Sequence, residues 1–175
     1  MMSPAAQEAF AECGAFYRDT TLPPEVLKLY KVGLLFREPT FCDTTYKFGG
    51  FATSHRYLII SANAKCIDAF SQHPEWGLCL WQTGRIFKVI GTHTISTFTQ
   101  ITLLEVPEAL REEFTTARLS EMEAHFVHQA AEQFKAALVA PPLPEHQTRL
   151  WLDRLELPVG IDDSGQFFEC WQHGT

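Results

Sequence analysis

Cys66 is the residue of this sequence that best fits a nucleophile. Asn63 is a good N-cap residue, so Cys66 is predicted to lie in the first turn of a short helix. There, unpaired backbone N–H groups and the helix dipole favour the thiolate, and Lys65 adds positive potential. A base would come from His55 or His93, both on predicted strands. No third, orienting group is evident, and a free cysteine is more often a small buried hydrophobe.

Basic and hydroxyl-bearing side chains in the middle of the chain suggest a different chemistry, the binding of an anion. Residues 47–104 carry a net charge of +3, whereas residues 105–175 carry −8. On a concave sheet face, four side chains would meet a small anionic ligand: Arg56, Arg85, Lys88 and Thr94. The alternative is internal complementarity, in which an acidic helix packs near a basic sheet.

A third group of polar side chains shares one face of a predicted helix. Glu121, His125, His128 and Glu132 follow one another at helical spacing. A histidine and a carboxylate one turn apart can chelate zinc. However, the H-E-x-x-H pattern and a third anchor are missing, and a polar face is normal for an amphipathic helix. We therefore predict no metal site, with His125 and His128 as weak candidates only.

Several classes of function are disfavoured by the sequence. It contains no G-x-S-x-G elbow, no phosphate-binding loop and no dinucleotide fingerprint, so no cofactor is predicted. The net charge of −7 disfavours nucleic acid and anionic membranes as partners. No run of 18 apolar residues occurs, so no membrane span is expected.

The cysteines and the N-terminus favour a cytoplasmic location. The five cysteines are odd in number and form no C-x-x-C pair, which is typical of reduced thiols. The sequence MMSPAAQEAF has neither a basic nor an apolar segment of the kind found in signal peptides.

The elements that must position these residues are those of a single α+β domain over residues 1–175. The 175 residues are 46% hydrophobic, enough for one sizeable core. We expect a mostly antiparallel sheet of about five to seven strands. One face would be covered by an N-terminal helix over 4–17 and by a long helix over 117–139, after a break near Thr115-Thr116.

Turn residues predict how the strands connect. Gly49-Gly50 favours a hairpin between 44–48 and 51–60, and a second hairpin would join 78–81 to 86–90. The Thr-rich run 92–106 is predicted to be one strand with a bulge near residues 96 and 97. The chain beyond Pro144 is predicted to close the sheet with another hairpin.

Two classes of function follow from these patterns. Missing catalytic motifs, abundant aromatic residues and the basic segment favour a non-catalytic binding or accessory domain. It would engage a protein partner or a small anionic ligand through its sheet face, and a homodimer is left open. The alternative is a small hydrolase or transferase that uses Cys66 with His55 or His93.

Overall fold

The computed structural model describes residues 2–116 and 118–171. Its strands are β1 (Gly14–Thr20), β2 (Leu35–Arg37), β3 (Cys42–Thr45), β4 (His55–Ser61), β5 (Lys65–Cys66), β6 (Leu78–Trp81), β7 (Ile86–Ile95), β8 (Phe98–Val106) and β9 (Glu169–Trp171). Its α-helices are α1 (Pro4–Ala9), α2 (Pro24–Leu27), α3 (Arg111–Phe114), α4 (Glu121–Val139) and α5 (Arg149–Arg154). Short 3-10 helices occupy Asp68–Phe70, Pro74–Trp76, Glu108–Leu110 and Pro144–Gln147. None of the helices in these residues is long and apolar enough to cross a membrane.

The strands form one mixed sheet in the order β5-β6-β3-β1-β4-β8-β7-β2-β9. β4 and β8 pair in parallel, and the other pairs recorded for these strands are antiparallel. The predicted α+β class and the mostly antiparallel sheet are confirmed. The sheet has nine strands, however, where five to seven were expected.

Helix α4 and helix α1 pack on one face of the sheet, where longer helices over 117–139 and 4–17 were predicted. Ser120 caps α4 through a capping box with Glu123, which explains why the helix begins at 121. The carboxylate of Glu123 lies 2.7 Å from the ammonium group of Lys88 on β7, and both side chains are buried. The break before α4 is also present, because α3 ends at Phe114.

The N-terminal helix is shorter than predicted. The expected helix over 4–17 is α1 followed by strand β1, which pairs with β4 along its whole length. Cys13 and Tyr17 match a helical spacing from Ala6 only by coincidence, since Tyr17 is buried from a strand. Pairing with a distant strand outweighs the local pattern here.

Neither predicted hairpin forms. β3 and β4 do not pair because β1 lies between them, and β6 pairs with β3 and β5 instead of β7. Gly49 and Gly50 have no positive φ. Glycine is needed at Gly50 because a Cβ there would collide with the carbonyl oxygen of Ala140.

The Thr-rich run is two strands, and the chain end is not a hairpin of two strands. Ser96, with φ of 56°, turns the chain between β7 and β8, so the predicted bulge is a hairpin turn. The register irregularity lies instead between Val89 and Gly91. The chain beyond Pro144 contains helix α5 and the short strand β9, which pairs with β2.

Candidate functional site

The candidate site lies where β1 and β3 share only one register pair, Tyr17 with Thr45. The end of α5 and the segment that follows it make contacts with both strands there. Arg154 donates a hydrogen bond to the carboxylate of Asp43 on β3 at 2.7 Å. The hydroxyl of Thr20, on β1, donates to the carbonyl oxygen of Glu156.

Arg18 is the charged group at the bottom of this site. Its side chain points between β1 and β3 and is only 5% exposed. Its guanidinium donates to the carbonyl oxygens of Asp43 at 2.8 Å and Leu157 at 2.7 Å. Its Nε atom is buried without a hydrogen-bond partner. Among the described residues, no carboxylate oxygen lies within 4.0 Å of its nitrogens.

The neighbouring Arg56 shows what a buried arginine looks like when its charge is neutralised. Its guanidinium binds both carboxylate oxygens of Asp19, at 2.5 and 2.8 Å. It also donates to the carbonyl oxygens of Gly49 and Gly50. A buried cation is costly unless a counter-charge and hydrogen bonds offset its desolvation. Arg56 has both, whereas Arg18 has only carbonyl dipoles, which makes Arg18 suited to receive an anion.

Two buried tyrosines lie close to the charge of Arg18. Burial raises the pKa of both Tyr57 and Tyr30, while the nearby guanidinium acts in the opposite direction. Both hydroxyls stay protonated and donate: Tyr57 to Tyr30 at 2.7 Å, and Tyr30 to the carbonyl oxygen of Val159 at 2.6 Å. The hydroxyls of Tyr30 and Tyr57 thus hold the backbone of Val159 close to Arg18.

A second group of charged and aromatic side chains lies in the residues that lead into β6. The imidazole of His73 lies 2.9 Å from the carboxylate of Glu75 and stacks on Trp76 with ring centroids 4.1 Å apart. The backbone N–H of Glu75 and the hydrogen bond with His73 lower the pKa of this half-exposed carboxyl group. Glu75 is therefore ionised at neutral pH.

Arg154 contacts both this group and strand β3. Its guanidinium carbon lies 5.7 Å from the centre of the Trp76 ring while its nitrogen binds Asp43. Asp43 in turn accepts from Arg18 through its backbone carbonyl. Asp43 therefore links the two groups, because its backbone carbonyl binds Arg18 and its carboxylate binds Arg154, which lies against Trp76.

The structure does not place Cys66 where a nucleophile was predicted. Cys66 lies on β5 instead of a helix, and it forms a disulfide with Cys79 on β6. The two residues face each other in the register of the strands. The disulfide closes the loop that carries His73 and Glu75. The prediction of reduced thiols is therefore wrong for Cys66 and Cys79.

The two histidines proposed as bases lie apart from Cys66. Strands β6, β3 and β1 separate β5 from β4, which carries His55. The ring of His55 accepts from the backbone N–H of Leu22, and burial lowers its pKa. Burial likewise lowers the pKa of His93, whose ring lies 6.1 Å from that of Phe134 under α4. The predicted Cys/His centre is not assembled.

The residues proposed to bind an anion do not form one patch either. Arg56 and Lys88 are buried in ion pairs with Asp19 and Glu123. The remaining two have partners of their own: Arg85 lies 3.6 Å from Glu105, and Thr94 bonds to Thr99. Internal complementarity, the alternative reading of the charge pattern, accounts for Lys88, since its partner Glu123 belongs to the acidic helix.

The histidines of α4 are exposed and isolated. His125 and His128 lie on the solvent side of the helix. No group of three potential metal ligands occurs within residues 2–116 and 118–171.

Sequence reasoning missed both Arg18 and Glu75. Arg18 stands between Tyr17 and Asp19, and nothing in this local pattern marks it as a residue of a site. Glu75 stands in a short His-Pro-Glu stretch with no spacing signal of its own. The contacts that define Arg18 come from segments far away in the chain.

Comparison with known proteins returned distant structural likenesses only. No family model and no curated protein sequence matches this chain. The type III effector XopAI from Xanthomonas axonopodis pv. citri is 18% identical with a TM-score of 0.49, over 58% of this chain and 44% of the effector. The ADP-ribosyltransferase HopU1 of Pseudomonas syringae pv. tomato is 18% identical with a TM-score of 0.48, over 54% of this chain and 45% of that protein.

A third structure was solved with a ligand and a protein partner. Exoenzyme S from Pseudomonas aeruginosa, in complex with human 14-3-3 protein beta and bound to carba-NAD, is 13% identical with a TM-score of 0.47. The match covers 66% of this chain and 64% of exoenzyme S. The first two matches span less than half of the proteins they match.

These comparisons contradict the prediction of a non-catalytic binding domain. HopU1 is an ADP-ribosyltransferase. Each TM-score lies below 0.5, and the activity proposed next therefore rests on the side chains of this chain.

Proposed function

We propose that this chain is a transferase of the ADP-ribosyl type, which binds NAD as its substrate with the pyrophosphate at Arg18. The observation that carries the proposal is the buried guanidinium of Arg18, which has two carbonyl partners and no carboxylate among the described residues. Such a group lacks an anion, and arginine recognises phosphate oxygens through paired, charge-assisted hydrogen bonds.

The anion class follows from the surroundings of Arg18. A free carboxylate ligand would use only the charge, whereas a dinucleotide also has aromatic rings that can stack. Trp76 is buried and His73 stacks on its ring, so the outer face of the His73 imidazole is the aromatic surface that could meet a ring of a dinucleotide.

The reaction is a displacement at the C1′ carbon of a ribose. The bond between C1′ and the nicotinamide nitrogen breaks, and its electron pair leaves with neutral nicotinamide. The acceptor forms a new bond to C1′ and releases one proton. Positive charge develops on the sugar ring, as it does in glycoside hydrolysis, where a carboxylate stabilises it.

Glu75 is the carboxylate that we assign to this step. It is ionised, half-exposed and paired with an imidazole, so it can stabilise the developing positive charge and accept the proton of the acceptor. Asp19 and Asp43 are already bound to arginine, Asp19 to Arg56 and Asp43 to Arg154. Glu38 is buried and accepts hydrogen bonds from Thr40 and from the N–H of Gly160.

The test is the release of nicotinamide from NAD, with water as the acceptor, measured by liquid chromatography. Replacing Glu75 by Gln keeps the size but removes the charge, and we expect a loss of about 100-fold or more in kcat. Replacing Arg18 by Lys keeps a charge but loses the paired hydrogen bonds, and we expect about a tenfold rise in KM.

Matched controls come from residues of the same types outside the site. The first control is Glu132→Gln, at an exposed residue of α4. The second is Arg85→Lys, at a partly exposed residue between β6 and β7. Both controls should turn over NAD like the wild type. The proposal is wrong if Arg18→Lys and Glu75→Gln release nicotinamide as fast as the wild type, or if no variant and no wild-type preparation turns over NAD.

A further inference from the structure

We infer that residues 156–160, called the strap here, form an autoinhibitory contact that occupies the anion position of Arg18. This inference rests on the proposed function. The carbonyl oxygen of Leu157 accepts from Arg18, and the carbonyl oxygen of Glu156 accepts from Thr20. A pyrophosphate bound to Arg18 would compete with the carbonyl group of Leu157 for the guanidinium.

The middle of the strap adds little to the core. Leu157 is 70% exposed, and Glu156 is exposed as well. Only backbone atoms of these residues reach into the site. The strap is instead held by Leu155, which precedes it, and by Val159, and both of these residues are buried. A short exposed span between two anchors can open locally without unfolding of the sheet.

The far anchor consists of a few defined hydrogen bonds. Tyr30 donates to the carbonyl oxygen of Val159 at 2.6 Å, and the N–H of Val159 donates to Tyr57 at 3.3 Å. The N–H of Gly160 donates to the carboxylate of Glu38 at 2.5 Å. None of these groups belongs to the pair that we assign to catalysis or pyrophosphate binding.

When the strap opens, Arg18 exchanges the carbonyl of Leu157 for a phosphate oxygen of the nucleotide, and this exchange is favourable. A hydrogen bond from a guanidinium to phosphate is charge-assisted at both ends, and it is stronger than the bond to the carbonyl of Leu157. The strap therefore lowers the apparent affinity by the fraction of molecules in which it is closed. Loosening the strap should tighten binding without any new contact to the ligand.

The experiment uses Tyr30→Phe, which removes the hydrogen bond to Val159 and leaves Arg18 and Glu75 intact. Loss of one buried hydrogen bond to the closed form should raise the affinity for NAD about fivefold, measured by titration calorimetry. The matched control is Tyr46→Phe, which removes an exposed hydroxyl that bonds to Asp68. The control should bind NAD like the wild type.

Hydrogen exchange gives a second, independent measurement on the full chain. Ligand binding normally slows the exchange of backbone amides near a site. If NAD displaces the strap, the amides of Val159 and Gly160 lose their acceptors and must exchange faster in the complex than in the free protein. The Tyr30→Phe variant should show faster exchange of the same amides even without NAD.

The outcomes separate this inference from the proposed function. If NAD binds the wild type and Tyr30→Phe equally well, and the strap amides do not exchange faster in the complex, the strap does not inhibit although the proposed function stands. If Tyr30→Phe exchanges faster at the strap but neither protein binds NAD, the proposed function fails, and the inhibitory role fails with it.

Discussion

Replacing Arg18 by Met should leave the stability of the fold nearly unchanged, although the side chain is buried. Met has similar length and no charge. The variant loses two hydrogen bonds to carbonyl oxygens, each worth about 1.5–3 kcal/mol when the donor is charged. It also removes the desolvation cost of an uncompensated cation, which is several kcal/mol. Because these two effects oppose each other, we expect a net change within about 1 kcal/mol.

Arg56→Met is the matched control, because Arg56 lies on the adjacent strand β4 and is equally buried at 3%. Its loss leaves Asp19 as a buried carboxylate without a counter-charge and removes the donors to the carbonyls of Gly49 and Gly50. Breaking a buried ion pair in this way costs about 3–5 kcal/mol. The two substitutions are chemically identical, and the largest difference between the sites is that Arg56 is paired with a carboxylate whereas Arg18 is not.

The assay is urea unfolding followed by tryptophan fluorescence, with free energies compared at equal m-values. The account predicts that Arg56→Met loses at least about 3 kcal/mol and Arg18→Met about 1 kcal/mol or less. If Arg18→Met were as destabilising as Arg56→Met, Arg18 would be an ordinary structural arginine. The reasoning that assigns it to an anion would then be refuted.

Three further predictions concern stability. Reducing the disulfide, or replacing both Cys66 and Cys79 by Ser, should cost about 3 kcal/mol from the entropy of the closed loop, whereas Cys170→Ser, at an exposed free cysteine, should change the urea midpoint little. Glu123→Gln removes the partner of the buried lysine of β7 and should cost about 3–5 kcal/mol, which calorimetry would show as a lower Tm; an unchanged Tm would mean that this ion pair does not hold α4. Burial lowers the pKa of His146 below its ordinary value of 6.5, so the unfolded state takes up the proton first and stability should fall as pH drops below about 6.5. His146→Gln should flatten this dependence in urea titrations between pH 7 and 5, and an unaltered slope would exclude His146 as its source.

The long helix could be predicted because its signals are local. The capping box of Ser120 and Glu123 and the apolar stripe up to Ala137 follow one another in a single continuous segment. Strand β1 could not be predicted in the same way. Its partner β4 comes only after α2, β2 and β3 in the chain, and its Tyr17 fits a helical stripe equally well in the sequence.

The site was missed for the same physical reason. The hydrogen-bond partners that define the environment of Arg18 are Asp43 and Leu157, which are 25 and 139 residues away in the chain. Cys66, by contrast, looked reactive in its local context, but its neighbour across the strands is Cys79. Arg56 and Lys88 were predicted to bind an anion, and internal complementarity with the acidic helix, the alternative, accounts only for Lys88. Nothing in the sequence distinguishes the paired Arg56 from Arg18.

The most direct test of the central claim is a calorimetric titration of NAD into the wild type and into Arg18→Met, with Arg85→Met as the control. The account predicts saturable one-to-one binding to the wild type and the control, and at least about a tenfold loss in Arg18→Met, since charge-assisted bonds to the pyrophosphate disappear. Equal affinity of all three proteins for NAD, or no binding to the wild type, would contradict the assignment of Arg18 as the anion-binding group.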